Sequence, residues 1–339
     1  MIRSFQLRDW ALVRRLSEQG VSLHSESALT DRLQPLRGAL VNMLVGGDFP
    51  TLVWKAEKGS ASGFIQLYLE EESQRAHILY LSPTVDAGAR SLQVDIGEAV
   101  QNGVVDGAVW LPLLDQAVIE VGQRGVHSLV AEVSEQGGEL PVLRRAGFAI
   151  YTRQDIWVLS GEETAVFPDP DPSLRPREAA DDWDIQLLYA NIVPRLVQLV
   201  EPVPRLDDGE GWVLREDDEL AAFIHIHDGP RATWLRLFIH PNAEARVDEI
   251  VKAALSVRPA STAHPVYCCV RRYQSWIQNA LERHGFAFWG SQAVMVKHTV
   301  QHQQKPMRDL AAILEKQAVS ASAPMVQRWQ HEPEQNGRS

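Results

Sequence analysis

The sequence predicts a mixed α/β fold written twice, and three observations carry that reading. First, residues 265–297 read as a short strand (266–270), a helix over about 275–284, Gly285, and a second strand (286–297). Second, residues 128–159 repeat that order, with Gly147 and Phe148 standing where Gly285 and Phe286 stand. Third, residues 166–176 (VFPDPDPSLRP) make a proline-rich break between two stretches of similar outline. A glycine just past the last apolar turn stops a helix, because it enters the left-handed conformation without steric cost. The phenylalanine beside it anchors the reversed chain in the core. The same segment met twice in the same order suggests duplication.

Residues 10–20 put Leu12, Val13 and Leu16 on one helical stripe. Residues 29–44 continue as a second amphipathic helix, ended by Gly46-Gly47-Asp48. Strands 52–57 and 63–70 flank the turn signal Lys58-Gly59-Ser60, and strand 76–82 completes an antiparallel meander. Residues 88–107 read as an insertion of about 20 residues, since Pro83 precedes Gly147 by 64 residues and Pro241 precedes Gly285 by 44. A helix over 111–122 then leads into strand 128–133, a right-handed crossover. The second copy runs through strands 211–215, 219–227 and 233–240 and a helix over 247–257. The expected organisation is a first domain at 1–161, a stiff Pro/Asp-rich linker at 162–173, a second domain at 174–299 and a partly disordered tail at 300–339. Within that tail, 307–317 reads as one helix.

Composition narrows the classes. At 339 residues, 45% apolar and 23% charged, the chain is that of a soluble globular protein with room for two domains. No apolar run approaches the ~20 residues of a membrane span. MIRSFQLRDW lacks the apolar core of a signal peptide, so a cytoplasmic location is expected. The net charge of −11 argues against nucleic acid and suits solubility or a cationic amine substrate. Cys268 and Cys269 are the only cysteines; adjacent in a strand, they face opposite ways, which excludes a disulfide and a zinc site between them. No GxSxG, GxxxxGK[ST], HExxH or GxGxxG motif is present, and no metal is expected.

The strand, the short helix ending in Gly-Phe and the closing strand resemble the C-terminal half of the GNAT (N-acetyltransferase) superfamily. Residues 2–10 (IRSFQLRDW) and 174–183 (LRPREAADDW) are similar to its first strand running into its first helix. Residues 78–84 (ILYLSPT) and 237–242 (LFIHPN) are similar to its fourth strand with the terminal proline. The resemblance covers roughly 1–160 and 172–299. It implies two GNAT-like folds in tandem, with acetyl-CoA as co-substrate. The implied reaction moves the acetyl group to a primary amine, on a small molecule or a peptide, by direct attack. A degenerate pair of GNAT-like folds serving as a binding or scaffolding protein is the alternative.

The resemblance also implies a pyrophosphate loop after each fourth strand, where backbone N–H groups at a helix start form an anion site. In the first copy that register gives Gly88, Ala89, Arg90 and Ser91; a second register would use the loop 105–110. The second copy offers Glu244, Val247 and Glu249, whose charges oppose a phosphate. The family's acid is a tyrosine four residues before the Gly of the Gly-Phe pair, and here Leu143 and Leu281 stand there. Tyr151, Tyr267 and Tyr273 are the nearby substitutes. His240, with His225 and His227 on one face of the strand 219–227, supplies a base candidate or a polar sheet face. Glu70, Glu71 and Glu72 read as a solvated turn.

Overall fold

Among the described residues, thirteen strands of one mixed sheet carry the fold. The structure is a computed structural model that describes residues 2–31, 34–45, 47–55, 62–70, 74–83, 104–161, 174–205, 208–216 and 219–299. The first half contributes β1 (Ile2–Ser4), β2 (Val21–Ser22), β3 (Thr51–Lys55), β4 (Ser62–Glu70), β5 (Arg75–Ser82), β6 (Ser128–Ser134) and β7 (Ala149–Leu159). The second half contributes β8 (Leu174–Pro176), β9 (Glu210–Glu216), β10 (Glu219–Asp228), β11 (Thr233–Ile239), β12 (Val266–Arg271) and β13 (Ala287–His298). Their order is β1-β3-β4-β5-β6-β13-β7-β12-β11-β10-β9-β8, with β2 paired to β5. Each half is an antiparallel meander that ends in one parallel pair, β5 with β6 and β11 with β12.

The two halves open alike. Arg3 grips both oxygens of Asp9 at 2.6 Å, and Asp9 also accepts from the Gln6 backbone N–H. Arg175 does the same to Asp181, at 2.8 and 2.6 Å, and Asp181 accepts from the Glu178 backbone N–H and from Arg215. In both halves the aspartate ties the first strand to the first helix. It satisfies a helix-start N–H that would otherwise lack a partner. Both carboxylates are buried.

These pairs give a pH dependence. Burial raises the Asp9 carboxyl, but the hydrogen bonds from Arg3 and Gln6 outweigh it and hold it below the usual range. At Asp181 the Arg175 hydrogen bond is the largest effect and the carboxyl lies far below its usual value. A group depressed in the folded state contributes stability that is complete above its unfolded pKa of about 3.9. That contribution is lost as pH falls below this value toward the folded pKa. Urea melts should therefore weaken below about pH 4. Asp181→Asn should cost about 3 kcal/mol at pH 7 and flatten that acid limb. An unchanged limb in the variant would show that Asp181 is not the group responsible.

The halves are joined by an exchange of closing strands. β13 lies between β6 and β7, and β7 lies between β13 and β12. Thus each half's last strand pairs with both of the other half's final two strands, or lies beside them. Gln154 and Gln292, 138 positions apart, are register partners at the centre, and the Gln154 amide donates to Gln292 at 2.8 Å. The same interval separates Gly147 from Gly285, so an internal twofold runs through the glutamine pair.

Both Gly-Phe pairs adopt the expected reversal. Gly147 has φ +87° and Gly285 φ +83°. Phe148 N–H donates to Leu143 O and Gly147 N–H to Arg144 O; Phe286 N–H donates to Leu281 O and Gly285 N–H to Glu282 O. This double bond pattern is a Schellman cap. Both phenylalanines are buried, each in the main core of its own half. Cys268 and Cys269 face opposite sides of β12, Cys268 in the second half's core and Cys269 beside Ile156 and Trp234.

Some expectations need correction. The helix expected over 29–44 is two helices, Ser25–Thr30 and Pro35–Val45, because Pro35 lacks an N–H and starts a helix rather than continuing one. The helix expected from 111 begins at Val104, so residues 105–110 are helical and not a phosphate loop. The helix expected over 275–284 is a 3-10 segment, Arg272–Ile277, followed by Gln278–Arg283. The linker 162–173, most of the insertion 88–107 and the tail 300–339 lie outside the described residues. The sheet itself runs unbroken from one half into the other.

Candidate active site

A cavity of about 1020 Å³ sits where the two halves meet, and both line it. From the first half come His24 and Glu26 at the start of the Ser25–Thr30 helix, Glu70 and Arg75 with His77 on the β4–β5 hairpin, and Glu132 on β6. From the second come His225 and His227 on β10, Arg236 on β11, Arg271 on β12, and Glu201 just after the Arg195–Gln198 helix. The Ser25–Thr30 helix reaches across the joint, for Thr30 O accepts from the Arg231 N–H beyond β10. His24 caps that helix, its Nδ1 2.8 Å from Ser27 Oγ.

The lining is acidic. Glu26, Asp31, Asp48, Glu70, Glu132, Glu201, Asp208, Glu210 and Asp228 face it, against Arg75, Arg205, Arg236 and Arg271. Burial pushes the Glu26 carboxyl up, and nearby Glu132 adds to this, against the opposing charges of His227 and Arg236. His227 Nδ1 is 3.8 Å from Glu26 Oε1. Glu132 behaves oppositely: burial raises it, but His24 and Arg271 hold it below its usual value, and it accepts from the Ser25 N–H at 2.8 Å. Burial pushes the His24 imidazole down to about 4 and that of His225 to about 3, so His225 is neutral at pH 7. Two carboxylates close enough for one charge to act on the other, one raised and one depressed, separate a proton acceptor from a charge anchor.

The two parallel pairs splay apart at their C-terminal ends. β5 and β6 are in register only as far as His77 and Val130. Beyond that point Leu23 bridges them: its N–H donates to Leu79 O and its O accepts from Glu132 N–H. The first wedge is therefore filled by the chain's own backbone. β11 and β12 part after Arg236 and Cys269. Among the described residues no backbone hydrogen bond bridges this second wedge. At its apex Arg236 and Arg271 both donate to the Glu201 carboxylate.

No family model matches the chain, and no curated protein matches it. Several solved structures share its outline. A GCN5-related N-acetyltransferase from Sphaerobacter thermophilus is 11% identical, with 89% of this chain and 96% of that one covered, at a TM-score of 0.48. A tandem GNAT protein from the clavulanic acid biosynthesis pathway is 12% identical, with 89% and 99% covered, at 0.47. A putative acetyltransferase from Pyrococcus horikoshii is 11% identical, with 88% and 89% covered, at 0.42. The chain is similar to GNAT acetyltransferases in fold.

The expected site residues separate. Tyr151, on β7, lines the cavity, and its hydroxyl is close to His298 Nε2. Tyr273 packs beside the Phe223–Phe238 cluster of the second half, and burial together with Glu201 pushes its hydroxyl up, which keeps it protonated. His240 does not line the cavity; its Nδ1 accepts from the Asn242 N–H and caps the 3-10 segment Pro241–Arg246. Gly88, Ala89, Arg90 and Ser91 lie outside the described residues. In the second half Glu249 is bound by Arg246 at 2.8 Å, so its charge is already matched. His225 and His227 do share the cavity, as their alternation on the strand suggested. Glu70 is not in a solvated turn: it pairs with Arg75 and lies 3.2 Å from His77 Nε2.

Sequence reading passed over His24, Glu26, Glu132, Glu201, Arg236 and Arg271. A signal for several of them was present. SLVAEVS, TWLRLFI and VYCCVR are apolar strands interrupted by a single charge, and a buried charge is retained only where it has a partner. Among the described residues no helix is long and apolar enough to cross a membrane.

Proposed function

We propose that the protein is an acyltransferase that moves an acyl group from a thioester donor, acetyl-CoA in the simplest case, to a primary amine held in the central cavity. The observation that carries this is the cavity's charge: among the described lining residues, nine carboxylates stand against four arginines. An ammonium entering such a lining is attracted before it is deprotonated. Glu26 then serves as the base, because a carboxyl raised by burial takes a proton better than an ordinary one. Glu132, held ionised, anchors the charge. Tyr151, which lines the cavity, is the proposed source of the proton taken by the leaving thiolate.

On this reading the donor enters by the open second wedge, because Leu23 closes the first. This departs from the sequence expectation, which places the donor's phosphates on Gly88, Ala89, Arg90 and Ser91 of the first half. The test is thiol release from acetyl-CoA by the full chain over a panel of primary amines, read with a thiol-reactive dye. Saturable release with at least one amine is expected. Amine binding by calorimetry without any thiol release would overturn the transferase reading and leave a binding protein.

A further inference from the structure

Arg271 is buried and faces the cavity, and its Nε has no hydrogen-bond partner. One of its terminal nitrogens donates to both oxygens of Glu201 at 2.7 Å, and the other donates to neutral Gln154. Arg236 donates to the same Glu201 carboxylate and has its guanidinium 5.0 Å from the Phe238 ring. Two guanidinium groups thus share the hydrogen bonds of one carboxylate, and the Arg271 Nε is left without an acceptor. A buried donor without a partner is costly, and such a place can receive an anion.

The Glu201 backbone is fixed independently of its carboxylate: Tyr189 OH donates to Glu201 O, and Arg75 donates to Val200 O at 3.0 Å. Turning the side chain away would disturb neither bond. Glu26 and Glu132 line the same cavity, each close enough to feel the arginines, Glu26 that of Arg236 and Glu132 that of Arg271.

We infer that Arg236 and Arg271 form a carboxylate-binding site, held in this structure by Glu201, and that the acceptor is an amino acid rather than a simple amine. Its ammonium lies toward Glu26 and Glu132, and its carboxylate takes the place of Glu201 on the two arginines. Planar guanidinium pairs recognise a carboxylate by geometry as well as charge. The acceptor's two charges then match both poles of the cavity at once. This inference rests on the acceptor reading above and narrows it.

The test is calorimetry on the full chain with ω-amino acids from glycine to 6-aminohexanoate, each beside its matched alkylamine and alkyl carboxylate. At least one amino acid should bind tenfold or more tightly than both of its matched compounds. Glu201→Gln should widen the preference for that amino acid over its matched amine about tenfold, and Arg236→Gln should abolish the preference. If amines bind as tightly as amino acids, the inference is overturned while the amine-acceptor reading stands. If nothing with an amino group binds, both fall. A folded Glu201→Gln protein with an unchanged preference for the amino acid would also overturn it; should that variant not fold, the wild-type comparison decides.

Discussion

Thiol release by the Glu26→Gln variant is expected to fall about a hundred- to ten-thousand-fold, the usual contribution of a positioned general base. Glutamine keeps the size and the hydrogen-bonding reach of Glu26 but cannot take a proton. Glu26 sits at the start of the Ser25–Thr30 helix with His227 3.8 Å away. Burial raises its carboxyl, so in the wild type the rate should climb with pH as Glu26 ionises. The variant's residual rate should lack that acid limb. Amine binding should weaken far less than the rate, since Glu132 stays charged. A variant that keeps the wild-type rate and pH profile while folded would remove Glu26 from the mechanism.

Phe286→Ala is expected to cost about 3–5 kcal/mol, and Phe148→Ala the same, because each ring is buried in the core of its half. Gly285→Ala and Gly147→Ala should cost only about 1 kcal/mol. A β-carbon at Gly285 would meet nothing nearer than 3.5 Å, and at Gly147 nothing nearer than 3.7 Å. The strain of the left-handed backbone is therefore the only cost at these glycines. Denaturant melts of the four variants should rank both phenylalanine changes well below both glycine changes. Phenylalanine variants that melt like the wild type would show that these rings do not carry the core.

Those glycines were legible in the sequence because their cause is local: a helix end, a positive φ and a core residue fall on three adjacent positions. The meander strands were legible for the same reason, through alternation and turn residues. The cavity was not. Glu201 lies in VEPVP, a stretch with no periodicity, and its partners Arg236 and Arg271 follow 35 and 70 residues later. The carbonyl of Val200 is held by Arg75, 125 positions earlier. No spacing rule links residues so far apart. The sequence marked Arg236 and Glu132 only as misplaced charges in apolar strands. The plugging of the first wedge was hidden too, because a two-residue strand, Val21–Ser22, leaves no pattern to read. Strand order was equally out of reach, since the alternation in β13 fits any neighbour in the sheet.

The exchanged closing strands also set a timetable for synthesis. β7 has no neighbour from its own half, for both strands that flank it, β12 and β13, belong to the second. A ribosome that has finished β7 at Leu159 must still make everything up to His298 before the sheet can close. At about 5–20 residues per second that interval is on the order of ten seconds or more. Throughout it β6 and β7 present unpaired backbone edges, which invite pairing with another nascent chain. Successive ribosomes on one message hold such chains side by side. The joint that creates the cavity is thus also the point at which two unfinished copies could complete each other.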